Sequence, residues 1–134
     1  MSAPVPSRVD GDIVEVGAPA DVAYVSTLRL TAASLAARCE LTIDDIEDLR
    51  LAVDEACSLL LPHATADSRL TARFELATGR LCVSTSVSTR DESEPDRDGF
   101  GWTVLGALAS EVDVVKNHDQ LTISVVKARE AAQA

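Results

Sequence analysis

Residues 48–64 read DLRLAVDEACSLLLPHA, and this stretch decides how the rest of the chain folds. Leu49, Val53, Ala56 and Leu60 recur at steps of three and four, continuing from Ile46. That period lays a single apolar stripe along one side of an α-helix. The start of the helix is marked as well. Thr42 followed by Asp45 resembles a capping box, with Asp where Glu or Gln is the usual third residue. Asp44, Asp45 and Glu47 bring negative charge to the positive end of the helix dipole. Pro62 is expected to stop the helix, because it lacks the N–H that would continue the ladder.

Working outward from this helix, residues 20–39 predict another. Val22, Val25, Leu28, Ala32 and Leu35 form its stripe, Arg29 and Arg38 fall away from it, and Pro19 suits its first turn. Before it, Ile13, Val14 and Val16 predict a short strand over 12–16, ended by Gly17. After the central helix, apolar residues alternate with polar ones over 69–76 and 80–87, predicting two strands joined at Thr78-Gly79, where glycine can take positive φ. Residues 88–98, STRDESEPDRD, are polar throughout and predict a mobile loop. A third helix runs from Gly99-Phe100-Gly101 to about Ser110, followed by strands over 112–115 and 121–126 about a turn at Asn117-His118-Asp119. Residues 1–11 are expected to be disordered, 12–127 to form the domain, and 128–134 to be a tail extending as frayed helix. The order β-α-α-β-β-α-β-β predicts an α+β two-layer sandwich, a mainly antiparallel sheet covered on one face by helices.

The bulk numbers set limits on function. With 134 residues the chain fits one domain, which at this size buries enough surface to fold without disulfides or metal. A formal net charge of -10 argues against a nucleic-acid partner and against anionic membrane surfaces, since phosphates are neutralised by Lys and Arg. The same charge suits a basic protein partner, or simply solubility. Cys39, Cys57 and Cys82 are odd in number and contain no Cys-x-x-Cys, so they read as small apolar fillers in a reducing compartment. No apolar run is long enough to span a bilayer and the N-terminus is no signal peptide, so the expected location is cytoplasmic. His63 and His118 lack the companions a metal site needs, and none is expected.

Val53-Asp54-Glu55-Ala56 and His63-Ala64 resemble the N-box helix of the Bergerat-fold ATPases, the histidine-kinase-like group that includes gyrase. Within that group the chain is most similar to the RsbW/SpoIIAB-type anti-sigma factors, which are also serine kinases. The likeness runs over about 12–127. It includes GFGWTVLGALASEVDV (99–114) as the second glycine box with its helix, and it points to the actinobacterial branch. The resemblance implies a fold of the histidine-kinase-like ATPase type and gives Glu55 the role of the residue that polarises the attacking group. It also places Leu59 where the family has a magnesium-binding Asn. Leucine offers Mg²⁺ no oxygen, and phosphoryl transfer rests on positioning and charge neutralisation. The first glycine box should follow the strand over 80–87, but SVSTRDESEPDRD (86–98) contains no glycine; Asp91 stands near the adenine-reading Asp in a context that does not match. Gly99 and Gly101 resemble the second glycine box. Glu55, Gly99 and Gly101 are therefore the candidate remnants of a nucleotide site, with ATP and Mg²⁺ binding expected to be weak or absent and Glu55 vestigial.

The resemblance also assigns a partner surface. In the family an Arg of the first helix contacts both the sigma factor and the anti-anti-sigma factor, and Arg29 in STLRLTAAS stands at that place. The acidic residues of 91–98 could add complementarity to a basic sigma segment. The expected function is sequestration of an alternative sigma factor, relieved by an anti-anti-sigma antagonist, with a homodimer through the sheet edge and first helix. The rival expectation is a working ATP-dependent serine kinase acting on that antagonist; a third is an ATPase-like domain with another regulatory partner.

Overall fold

A computed structural model describes residues 9–90, 95 and 97–130. Its elements are strand β1 (Ile13–Pro19), a 3-10 turn (Val22–Tyr24), helix α1 (Val25–Arg38), helix α2 (Ile43–Leu60) and a second 3-10 turn (Leu61–His63). Strands β2 (Arg69–Ala77) and β3 (Arg80–Ser88), helix α3 (Phe100–Leu108), and strands β4 (Glu111–Asn117) and β5 (Gln120–Ala128) follow. The five strands form one antiparallel sheet in the order β1-β2-β3-β5-β4. Three helices cover one face, so the predicted α+β two-layer sandwich is the observed architecture.

Period-two alternation builds the buried face of the sheet. Leu70, Phe74 and Leu76 of β2, Leu81 and Val83 of β3, and Leu121, Ile123 and Val125 of β5 all point to the helices and are buried. Thr85 sits among them and donates its hydroxyl to Ile123 O at 3.1 Å, which satisfies a polar group in an apolar layer. The opposite face is hydroxyl-rich: Ser84 pairs with Ser124 at 2.9 Å and Ser86 with Thr122 at 2.7 Å. From the helix side the core takes Leu28, Ala32 and Ala36 of α1, Leu49, Val53, Ala56 and Leu60 of α2, and Leu105 of α3. With aromatics scarce, alanines at 32, 36, 52 and 56 let helix backbones approach closely, and packing density comes from short aliphatic side chains.

The capping box at α2 is complete. Thr42 accepts from the Asp45 N–H at 3.1 Å, and Asp45 accepts from the Thr42 N–H at 3.4 Å. Gly79 takes φ +76° in the β2–β3 hairpin, and its N–H and C=O bond to Cys39 O and Arg129 N. The turn thereby ties the end of α1 to the end of β5. All three thiols are pushed up in pKa chiefly by burial, Cys57 to about 12, which fits their reading as packing groups.

Several predicted boundaries differ. β1 does not end at Gly17 but continues to Pro19; an edge strand has one partner only, so the missing proline N–H costs no ladder bond there. Pro19 thus closes a strand instead of opening a helix. The helical run begins at Val22, N-capped by the Asp21 side chain, and Val22 is 76% exposed, so it does not belong to the buried stripe. Of the N-terminal segment 1–11, residues 1–8 lie outside the described residues, while Val9 is buried and Asp10 and Gly11 bond to Thr78 and Leu76. Ala128 belongs to β5 and not to a frayed helix, Arg129 bonds to Gly79, and residues 131–134 lie outside the described residues. No helix among the described residues is long and apolar enough to cross a membrane.

Thr42→Ala removes one half of the capping box. We expect a loss of about 1 kcal/mol and a fall in Tm of about 3 to 5 °C, measured by thermal and denaturant unfolding followed by circular dichroism.

Candidate functional site

Helix α2 carries the candidate residues on two different sides. A helix advances 100° per residue, so Asp54 and Glu55, though adjacent in sequence, face different neighbours. Asp54 points to α1 and Glu55 to α3.

On the α3 side, Glu55 and Leu59 stand one turn apart and meet Gly101 in the first turn of α3. A methyl group on Gly101 would stand 2.6 Å from Glu55 Oε2 and 3.0 Å from Leu59 Cδ2. A Cβ there would push the Glu55 carboxylate aside and press on Leu59, so a glycine at 101 lets α3 pack on these two side chains without displacing them. Gly99 is the N-cap of α3 in extended conformation, and its side provides no capping hydrogen bond. Of the three candidate remnants the packing brings Glu55 and Gly101 together, with Leu59 beside them, and Gly99 precedes them at the start of α3. Farther along the same two helices, Lys127 of β5 bonds to Asp48 at 3.1 Å and to Leu108 O at 2.9 Å, fastening the C-terminal end of α3 to α2 and the sheet. Trp102 packs against the core and carries Arg97 over its ring at 5.6 Å from the centroid. Phe100, at the tip of α3, is 84% exposed.

On the α1 side, Arg29 Nη1 donates to Asp54 Oδ1 at 3.1 Å. The Arg29 side chain is 35% exposed and that of Asp54 43%, so the pair contributes at most about 1 kcal/mol to stability. Arg29 Nε is shut off from solvent and has no hydrogen-bond partner. Leu30 and Leu51, on the same two helices, are exposed apolar residues. Asp91 lies outside the described residues, as do most of the acidic residues expected beside it. Among the described residues no three of His, Cys, Asp and Glu gather as a metal-binding group.

The sequence family decides what body these residues belong to. A family described as the histidine kinase-like ATPase domain matches residues 18–127. A "Serine-protein kinase RsbW" of Bacillus velezensis is 41% identical over 87% of this chain and 85% of its own length. The Bacillus subtilis protein of the same name is 30% identical over 88% and 86%, and that of Staphylococcus aureus 30% identical over 87% and 86%. The chain belongs to the RsbW-like family of histidine kinase-like ATPase domains. A crystal structure of the RsbU and RsbW domains of a Mycobacterium tuberculosis protein superposes with a TM-score of 0.67 at 19% identity. It covers 97% of this chain but only 36% of that longer one, and it speaks for the fold.

Within this family fold, Glu55, Leu59 and Gly101 meet where α2 packs on α3. Reading the sequence by itself missed the Arg29–Asp54 pair. Period and motif gave each residue a helix, but only the packing of α1 against α2 could show that they touch. The signal available was an Asp facing away from the apolar stripe of one helix and an Arg doing the same on the other.

The tight approach at Gly101 gives a test. Gly101→Val, whose branched side chain needs room at both Glu55 and Leu59, should destabilise by about 1–3 kcal/mol. Adding Glu55→Ala should recover a good part of that loss in denaturant unfolding, with Trp102 fluorescence reporting α3; strictly additive effects would show that the two residues do not meet.

Proposed function

We propose that this protein is an anti-sigma factor that binds and sequesters an alternative sigma factor, is released by an anti-anti-sigma antagonist, and does so without phosphorylating that antagonist. The observation that carries the reading is a family body with an aliphatic residue at its centre. The RsbW-like body spans residues 18–127, yet the position that would supply a magnesium oxygen is Leu59, and Gly101 closes α3 onto Glu55 and Leu59.

The residues present do not fit a magnesium triphosphate. Mg²⁺ demands oxygen ligands in near-octahedral geometry, and an aliphatic side chain offers none. A triphosphate also needs backbone N–H groups presented by glycine-bearing turns. Here the one glycine of α3's first turn is in contact with a carboxylate, which would repel phosphate. Without nucleotide chemistry the helix layer still offers a binding surface: Arg29 of α1 together with the exposed Leu30 and Leu51. An acidic chain with net charge -10 suits a basic partner and accelerates its approach. The reading places the protein in the cytoplasm and pairs two copies through a sheet edge and the α1 region. Sedimentation at micromolar concentration should show a dimer.

The second reading is an active serine kinase, favoured by the likeness to the Bacillus and Staphylococcus serine-protein kinases RsbW. One set of measurements separates the two. Capture of the tagged chain from its native cell should bring down a sigma factor, and Arg29→Glu should weaken that recovery by tenfold or more. Calorimetric titration with Mg-ATP should give no saturable micromolar binding. A capture containing no sigma factor would remove the sequestration reading. Saturable binding together with phosphate transfer to the antagonist would establish the kinase instead.

A further inference from the structure

We infer that Asp54 is a positioning residue for Arg29, holding its guanidinium in one outward orientation so that a partner meets a preorganised cation. The inference rests on the sequestration reading for what the cation is used for, but the clamp itself is a property of this chain alone.

Three observations carry it. Arg29 Nη1 and Asp54 Oδ1 are 3.1 Å apart across two helices, a contact between residues 25 positions apart in sequence. Arg29 Nε is buried and makes no hydrogen bond, so the inner edge of the guanidinium has been taken out of water without compensation from a polar group at that nitrogen. The side chain nevertheless keeps 35% of its surface exposed. A long arginine on a helix surface buries its stem and keeps its head in water, and Arg50 shares the buried, unbonded Nε while its Nη1 is held within its own helix by Glu47. The Arg29 stem is packed and its head is tethered to a carboxylate of another helix, which fixes the plane of the fork.

That geometry matters for recognition because the guanidinium is directional. Its donors lie in one plane and match a carboxylate edge to edge, so an arginine whose plane is already set loses less freedom on binding than a mobile one. Tethering also has an opposing effect, since the Asp54 charge partly offsets the cation. At an exposed site that offset is weak, because solvent and salt screen the pair. Ordering therefore dominates, and removing Asp54 should weaken the partner complex instead of tightening it.

The neighbouring charges do not duplicate the role. Arg50, also on α2, pairs with Glu47 of its own helix at 2.7 Å, so that carboxylate is engaged elsewhere. Glu55 faces α3. Asp54 alone among the α2 carboxylates is bonded to α1 among the described contacts.

The test has two arms. In the first, nitrogen-detected NMR of the isolated chain follows the Arg29 guanidinium. Wild type should give resolved, slowly rotating Nη signals on cooling, and Asp54→Ala should average them. Asp54→Asn, which keeps an oxygen acceptor at the same place, should restore much of the restriction. Identical signals in wild type and Asp54→Ala overturn the clamp. In the second, affinity is measured for the sigma factor recovered with the wild-type chain. Asp54→Ala should weaken it about 3- to 10-fold, Asp54→Asn by less, and Asp54→Ala should add nothing once Arg29→Ala is present. Tighter binding by Asp54→Ala, or a loss that persists in the Arg29→Ala background, overturns the positioning role. If Arg29→Ala leaves the affinity unchanged, both residues leave the interface while sequestration stands. If no sigma factor is recovered at all, the sequestration reading fails and the NMR arm decides the clamp.

Discussion

Helix α2 must lie flat on the sheet while touching a helix on each side, and the rest of the molecule is arranged around that demand. Its buried side supplies Leu49, Val53, Ala56 and Leu60 to the core, and Ala52 and Ala56 keep the separations short. What remains of its circumference is then shared between two neighbours. Toward α1 it offers Asp54, and toward α3 it offers Asp48, Glu55 and Leu59. Because α2 buries its apolar stripe on the sheet, its rotation about its own axis is set, and so is the side to which each of these residues points. A change in that rotation by one residue would carry Asp54 away from Arg29 and bring a carboxylate into the core.

The α3 contact shows how such a constraint acts on chemistry. A glycine at 101 leaves the Glu55 carboxylate and Leu59 in place, where a single methyl would have to displace them. The absence of Cβ is what this contact uses. Lys127 completes the arrangement by bridging Asp48 and the last carbonyls of α3, where a cation also suits the negative end of the helix dipole.

This division explains what could be read from the sequence. Element type followed from local causes. The stripe through Leu49 and Leu60, the Thr42–Asp45 cap and the hairpin glycine at 79 each act within a few residues, and each is present in the fold. Boundaries were less legible where the deciding partner is distant. Gly17 and Pro19 look like punctuation, but β1 is paired along its length to β2 and carries both. Val22 has the spacing of a core residue but falls in a 3-10 turn, where the 100° rotation no longer applies. Within the site, Glu55, Leu59 and Gly101 were legible because a motif joins them, whereas Arg29–Asp54 required two helices to be placed side by side.

An anti-sigma factor of this construction would differ from a kinase in how its complex comes apart. A phosphorylating enzyme can end its grip on an antagonist by modifying it, and nucleotide state can bias the affinity. On the proposed reading, with Leu59 at the cation position and α3 packed against Glu55, nucleotide would offer no such differential contact, and a ligand shifts an equilibrium only by its differential affinity for the two states. Release would then have to come from mass action at the protein surface. An antagonist competing for the Arg29 region would need either higher affinity than the sigma factor or higher concentration, and its own modification state would set which. A preorganised Arg29 suits that arrangement, because it lowers the ordering cost equally for either partner and leaves the choice between them to the contacts that surround it.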